Sequence, residues 1–261
     1  MPHIQLPEIS LYYEIHGAGE PVLFLHGLGS STTDWEFQRD VFAANYQVVL
    51  VDARGHGRSQ KPPGPNSVPI MTQDIIALIK ALDLGAVNVV GLSMGGMTGL
   101  QLALDAPELV KRLVVINAIA DLRPKSLRDH LLVWQRLAIV RLFNMRGMGK
   151  FLANRLFPLD SQAEARPIFV ERWAKNDKTA YVAAFKGLVG WSVLDRLPAI
   201  QCPVLFLAAQ FDYSSVEDKE TAVSLIPNAT LQIIPNSRHA STVDAPEVVN
   251  DGILQFLSES G

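Results

Sequence analysis

The stretch Val87-Asn88-Val89-Val90-Gly91-Leu92-Ser93-Met94-Gly95-Gly96 decides how this chain is read. An apolar run at residues 87–90 leads into Gly-x-Ser-x-Gly, and a second apolar stretch with Leu100, Leu102, Ala103 and Leu104 follows. A strand that turns sharply into a helix carries this signature, because the turn needs small neighbours at both glycine positions and holds the apical residue in strained backbone. The helix behind it would aim its N-terminal N–H groups at any negative charge forming beside Ser93. The bare pattern is weak; the strand before it and the helix after it give it force. It is not a phosphate loop, since no Gly-Lys-Ser/Thr follows.

Outward from this segment, short apolar runs recur at residues 22–25, 48–51, 113–116, 204–207 and 231–234, each bounded by turn residues. Continuous runs of this length suit strands buried on both faces of a parallel sheet. Ser10–His16 alternates less cleanly and is expected to form an antiparallel edge strand. Between the runs, Ile75, Leu78, Ile79 and Leu82 repeat with helical spacing, and Gly85 stands where a C-terminal cap is expected. Asp244 with Glu247 has the spacing of a capping box, opening a helix with Val249, Ile253, Phe256 and Leu257 on its apolar stripe. Strands alternating with helices predict an α/β fold, a doubly wound, mostly parallel sheet. The rhythm breaks between Asp121 and Leu197, where no strand run occurs. There a helix is expected over residues 126–145, interrupted by Gly147 and Gly149, with others near 168–175 and 179–188. Helices inserted between two strands read as a cap over one end of the sheet. Residues 1–120 and 198–261 would then form the core, and residues 121–197 the helical cap.

Composition bounds the function classes. Of 261 residues, 48% are hydrophobic and 19% charged, which excludes a disordered chain, a collagen-like repeat and a coiled coil. Twenty-six acidic against 23 basic residues leave a net charge of −3, which argues against nucleic-acid and membrane-surface partners. The single cysteine, Cys202, excludes an internal disulfide framework and a cysteine-rich zinc site. The first ten residues hold Pro2, Pro7 and Glu8 with no signal-like apolar run, and no window is long and apolar enough to span a bilayer. A cytoplasmic location is the resulting expectation.

A serine hydroxyl is a poor nucleophile until a base takes its proton. In a fold with this turn the chain order is serine, acid, histidine. Of six histidines only His130 and His239 follow Ser93. His130 lies in the expected cap helix and reads as a surface residue, whereas His239 follows the last strand, in the loop region where parallel sheets place ligands. The acid is expected at Asp212, five residues beyond the 204–207 run, where it would fix the tautomer of His239. Its rival is Asp121, which follows the 113–116 strand; Glu217 and Asp218 read as first-turn helix residues. After the 22–25 run, His26-Gly27-Leu28-Gly29-Ser30 suggests an oxyanion loop, with the N–H groups of Leu28 and Met94 as donors and His26 holding the loop.

With these pieces assembled, the chain resembles the α/β-hydrolase family over nearly its whole length. The likeness rests on His26-Gly27-Leu28-Gly29, Asp52-Ala53-Arg54-Gly55-His56-Gly57-Arg58-Ser59, Gly91-Leu92-Ser93-Met94-Gly95-Gly96, Phe211-Asp212 and Arg238-His239. The resemblance makes the second segment a tight turn and gives Asp52 and His56 structural roles. One departure is Ala209-Gln210-Phe211-Asp212, where the family usually shows Gly-x-x-Asp. Ser93 speaks against the aspartate-nucleophile dehalogenases and epoxide hydrolases, and Leu92 and Ala240 against the carbon–carbon bond hydrolases. The stretch from Gly91 to Met97 with Asp105-Ala106-Pro107-Glu108 is similar to enol-lactonases and small esterases.

The resemblance implies a serine hydrolase of carboxylic esters with small or medium acyl groups, working through an acyl-enzyme. A lactonase is the alternative, followed by a cofactor-free perhydrolase or a receptor whose cap closes on a hydrolysable ligand. The expected partner is a small-molecule ester or lactone. No metal or organic cofactor is implied, because no dinucleotide fingerprint or metal-ligand spacing occurs. Trp134, Leu137, Phe143, Met145, Phe157, Phe169 and Trp173 are candidates for an apolar acyl pocket, and no Arg or Lys cluster is expected to face it.

Overall fold

A computed structural model describes residues 2–259. Its eight strands are β1 (His3–Gln5), β2 (Ser10–His16), β3 (Glu20–Leu25), β4 (Tyr46–Val51), β5 (Val87–Leu92), β6 (Val110–Ile116), β7 (Val204–Ala209) and β8 (Ala229–Ile234). They form one sheet in the order β1-β2-β4-β3-β5-β6-β7-β8, antiparallel at β1–β2 and β2–β4 and parallel from β4 to β8. Every apolar run named from the sequence lies in one of these strands. β2 has the expected bounds and direction but is not the edge, because β1 pairs outside it with His3 opposite Tyr12.

Among the described residues ten helices accompany the sheet: α1 (Glu36–Ala43), α2 (Val68–Ala81), α3 (Met94–Asp105), α4 (Leu127–Leu142), α5 (Met145–Leu156), α6 (Ala165–Ala174), α7 (Lys178–Leu188), α8 (Val216–Leu225), α9 (Ser241–Asp244) and α10 (Pro246–Ser258). Alternate residues of each inner strand feed separate cores, as the two-residue period requires. Leu23, Val49, Val89 and Val115 pack with Ile75 and Leu78 of α2, Leu100 of α3 and Ala222 of α8. Phe24, Leu50, Val90 and Val114 pack with Phe42 of α1 and with Val249, Ile253 and Phe256 of α10. Helices therefore cover both faces, the doubly wound arrangement expected. Gln38 of α1 joins distant parts of the chain, donating from Nε2 to Thr242 O and Asn250 Oδ1, both at 3.1 Å.

Helices α4 to α7 fill the interval between β6 and β7 and carry their own apolar cluster of Val140, Met148, Leu152, Phe157, Trp173 and Tyr181. A bridge between Asp121 and Ser192 closes the base of this insertion. Its helices break differently from the expectation. The chain turns at Phe143 and Asn144, and Asn144 Oδ1 caps α5 by accepting from Gly147 N at 2.8 Å. Gly147 and Gly149 lie inside α5, and a Cβ at Gly149 would stand 2.8 Å from Trp173 Cβ, so that glycine is there for close helix packing.

Two caps also differ. Beyond α2, Asp83 takes the first left-handed position (φ 51°) and Gly85 comes two residues later. Asp244 does not open the last helix; it ends α9, and α10 starts from Ala245 with Pro246 in its first turn and no side-chain cap. The Asp244 carboxylate is engaged elsewhere, accepting from Ser237 Oγ at 2.5 Å and Arg238 N at 2.9 Å. Among the described residues no helix is long and apolar enough to cross a membrane.

Candidate active site

The strand order reverses around β3, which has β4 on one side and β5 on the other. Parallel sheets bind ligands at the carboxyl ends of strands beside such a switch point. The turns after β3 and β5 are the two that hold His26–Ser30 and Ser93.

Ser93 has φ 54° and ψ −112°, a left-handed conformation that costs a side chain about 1–3 kcal/mol. The turn is held by Ser93 N donating to Ile116 O at 2.8 Å and Met97 N donating to Ser93 O at 3.0 Å. Gly95 is required because a Cβ there would run into the carbonyl of Leu25 on β3. The hydroxyl of Ser93 is thereby raised above the sheet, at the N-terminus of α3.

His239 and Asp212 come from neighbouring turns, after β8 and β7. Asp212 Oδ1 lies 2.5 Å from His239 Nδ1, and the carboxylate is fully buried while the imidazole is 22% exposed. Burial alone would push the Asp212 carboxyl up. The hydrogen bond and charge of His239, together with Lys219, outweigh it and hold Asp212 well below the usual carboxylate range. The second carboxylate oxygen accepts from Ser214 Oγ at 2.8 Å and Lys219 Nζ at 2.7 Å. Asn117, at the end of β6 with φ 48°, fixes the histidine loop: its Nδ2 donates to His239 O at 3.0 Å and Ser241 Oγ at 2.7 Å, and its Oδ1 accepts from Ala209 N at 2.7 Å. The ring of Tyr213 lies over His239 at 4.6 Å between centroids.

Asp121, the rival acid, does not approach His239. Its carboxylate is held by Arg123 at 2.8 Å and Lys125 at 2.9 Å, and these partners keep it strongly ionised. His130 stands on α4 and has no place in the site.

The structural histidines are equally well defined. Ala53 N donates to His26 Nε2 at 2.9 Å, so the other ring nitrogen carries the proton and donates to Gly27 O at 2.8 Å. His26 thus ties the turn after β3 to the turn after β4. His56 is fully buried and donates from Nδ1 to Arg54 O; burial pushes it down to about 3, so it is neutral near pH 7. Asp52 accepts from Thr32 N and Arg58 N, both at 2.7 Å, joining two loops. Gly29 has φ 76°, and a Cβ on it would stand 2.8 Å from the Trp173 ring, so the insertion packs directly onto this loop. Asn176 reinforces the contact, donating to Gly29 O at 2.7 Å.

Ser93, His239 and Leu28 face one cavity of about 350 Å³ between the sheet and the insertion. Among the described residues Ser93 Oγ has no hydrogen-bond partner; serine–histidine hydrogen bonds often tighten only when substrate binds. Of the expected lining residues, only Phe169 and Trp173 reach this cavity, with Leu152, Leu156, Phe185 and Leu188 beside them. Trp134 is 73% exposed and Phe143 52% exposed, so both face outward. Met145 and Phe157 are buried within the insertion's own cluster, and Leu137 does not reach the cavity. One cation faces it: Arg136 of α4 lines the cavity and donates to the uncharged Tyr181 hydroxyl at 2.6 Å. Among the described residues it has no acidic partner, and no group of three His, Cys, Asp or Glu side chains converges as metal ligands would.

Comparison with known proteins agrees with this architecture. The model of the alpha/beta hydrolase fold matches residues 20–246. A protein of Azorhizobium caulinodans named "Putative carbamate hydrolase RutD" is 30% identical over 99% of both chains. The 3-oxoadipate enol-lactonase 2 of Acinetobacter baylyi is 30% identical over 94% of this chain and 92% of its own. The enol-lactonase structure from Burkholderia xenovorans superposes with a TM-score of 0.91 over 99% of this chain and 100% of that one; at 22% identity this likeness speaks for the fold. The nucleophile-type turn, the switch-point site and the family match together place the chain in the α/β-hydrolase fold family of hydrolases.

Proposed function

We propose that the chain hydrolyses carboxylic esters of small or medium acyl groups through an acyl-enzyme. Ser93 is the nucleophile, His239 the general base and Asp212 the acid that orients it. The observation that carries this reading is the strained Ser93 turn opening on the same cavity as a histidine whose other nitrogen sits 2.5 Å from a buried carboxylate. Ser93 Oγ attacks the carbonyl carbon as its proton passes to His239 Nε2. The N–H groups of Leu28 and Met94 receive the resulting oxyanion, worth roughly 3–4 kcal/mol per donor in comparable sites. The imidazolium then gives its proton to the departing alkoxide, and a water activated by His239 releases the acid. Residues 121–197 act as a cap: they carry none of these groups and shape the space above them.

The cavity size sets the acyl range. Phe169→Ala should enlarge the pocket and raise the relative rate of longer acyl esters by roughly tenfold to a hundredfold, the scale set by one or a few methylenes. Trp134→Ala, on the outer face of α4, should leave the chain-length profile unchanged. A series of p-nitrophenyl esters assayed by kcat/KM checks both. An unmoved profile in Phe169→Ala would separate this cavity from the acyl group.

Arg136 supports a second reading, a lactone or ester whose acyl part ends in a carboxylate. A guanidinium whose side-chain hydrogen bonds go only to a phenol, in a cavity with a largely apolar lining, is matched by an anionic substrate. The relative named for 3-oxoadipate enol-lactone fits that chemistry. Arg136→Gln should lower kcat/KM for carboxylate-bearing lactones by roughly 10–100-fold, as loss of a charged hydrogen bond does. Neutral esters should stay within about twofold. Equal losses on both would remove Arg136 from substrate recognition.

A further inference from the structure

Lys219 is a buried charged group beside Asp212 to which the mechanism gives no task. It lies on α8 with its side chain fully buried, at 0% exposure. Its ammonium donates to Asp212 Oδ2 at 2.7 Å, Ser214 Oγ at 2.8 Å and Ser214 O at 3.1 Å. A fourth oxygen, Ser215 O, lies at 3.4 Å, so the ammonium is fully coordinated, and a single anion balances the charge. The place is an unfavourable one for a cation: it is dry, and the start of a helix presents the positive end of its dipole. The sole anion on the ammonium is also the carboxylate that orients His239, which meets the histidine through Oδ1 and the lysine through Oδ2.

We infer that Lys219 is a positioning residue of the Ser93 site, fixing Asp212 through Oδ2 and opposing the pull of that carboxylate on the His239 imidazolium. The inference rests on the assignment of Ser93, His239 and Asp212 given above. Tyr213 N also donates to Oδ1 at 2.7 Å and Ser214 Oγ to Oδ2 at 2.8 Å. Lys219 adds the charged donor at Oδ2 and grips Ser214 Oγ as well, so it fixes the carboxylate plane both directly and through that hydroxyl, with Oδ1 aimed at Nδ1. The electrostatic effect follows from the same contact. Protonation of His239 next to a bare carboxylate is favoured; next to a carboxylate already neutralised by an ammonium it is favoured less. Lys219 therefore keeps the base free of its proton to lower pH, and the site works further into the acid range.

Other charged groups face this cluster and stay constant in the comparison. Asp34 and Arg136 line the cavity, Asp244 of α9 and Arg238 flank His239, and Glu217, Asp218 and Glu220 lie on α8 itself. The turn at Leu194–Ala199, which packs on α8, brings Asp195 and Arg196, the latter paired with Asp105 at 2.8 Å. Strands β7 and β8, also packed on α8, bring no charged side chain.

The test is the pH dependence of kcat/KM for a neutral chromogenic ester in Lys219→Met, Lys219→Gln and Lys219→Arg, with thermal unfolding and fluorophosphonate labelling of Ser93 on the same samples. In Lys219→Met and Lys219→Gln the acid limb should move to higher pH by about half a unit to one unit, and the plateau kcat should fall about tenfold or more. Lys219→Arg, which keeps the charge, should hold the limb in place. In an Asp212→Asn background, Lys219→Met should cause no further shift, because the effect passes through Asp212. Should Lys219→Met not fold, the contrast between Lys219→Gln and Lys219→Arg decides. Labelled Ser93 with an unmoved limb in either neutral variant, or an equal move in Lys219→Arg, overturns the role of Lys219 alone. Absence of labelling at Ser93 in the unmodified protein overturns the nucleophile assignment, and this inference with it.

Discussion

Ser93→Ala is expected to lower kcat for esters by roughly 10⁴–10⁶-fold, the loss seen when the nucleophile of such a triad is removed. The residual rate would come from the oxyanion donors and from substrate binding, which the substitution leaves in place. The fold should be unaffected, since the turn is held by backbone hydrogen bonds to Ile116 and Met97 and by Gly95 against Leu25. A companion variant sharpens the test. Ser93→Gly loses the same hydroxyl, but glycine accepts φ 54° and ψ −112° without the side-chain penalty. It should be equally inactive and should melt higher, by a few degrees for about 1 kcal/mol of relieved strain in a chain of this size. Steady-state kinetics and calorimetry on the two variants check both halves. Near-native turnover in Ser93→Ala would place the nucleophile elsewhere.

Asp212→Asn should cost about 10³–10⁴-fold in kcat, because an amide can donate to Nδ1 and stabilise the wrong tautomer of His239. The variant also leaves the buried Lys219 ammonium without its anion, so a lower melting temperature is expected alongside the kinetic loss. Asp121→Asn, by contrast, should stay within about twofold, since that carboxylate holds only Arg123 and Lys125 at the foot of the insertion. The pair is best read together, by kcat at the pH plateau. The reverse order of losses would move the acid to the turn after β6.

What the sequence discloses depends on the distance over which each feature is decided. Strands β3 to β7 are legible because burial on both faces demands uninterrupted apolar runs, and the Ser93 turn because strain and close packing leave little choice of residue. β1 is not, for three residues, His3-Ile4-Gln5, make no pattern and owe their pairing to β2. The capping-box reading of Asp244 fails because Ser237 and Arg238, brought close by the loop before α9, compete for its carboxylate. Within the insertion the apolar residues are scattered around α4, so nothing in the sequence tells the buried Val140 from the outward Trp134 or shows Arg136 turned to the cavity. Asn117 and Lys219 escape notice for another reason. Asn117 acts on a loop more than 120 residues away that only the sheet brings near, and Lys219 acts on an aspartate in the turn before its own helix, where a first-turn lysine carries no sequence signal. An asparagine at the carboxyl end of a strand, where ligand loops gather, was the signal available for the first.

The link from Gln38 to Thr242 and Asn250 bears on how the molecule comes into being. Synthesis delivers α1 to the nascent chain some two hundred residues before the segment it must grip, and Phe42 waits as long for Val249 and Ile253. One side of the sheet therefore stays uncovered for most of translation, while the other can be covered early by α2 and α3. His239, the proposed base, lies beside that late segment. On the assignment proposed above, Ser93 and its proton acceptor are united only near the end of elongation, and a growing chain on the ribosome would carry Ser93 unarmed.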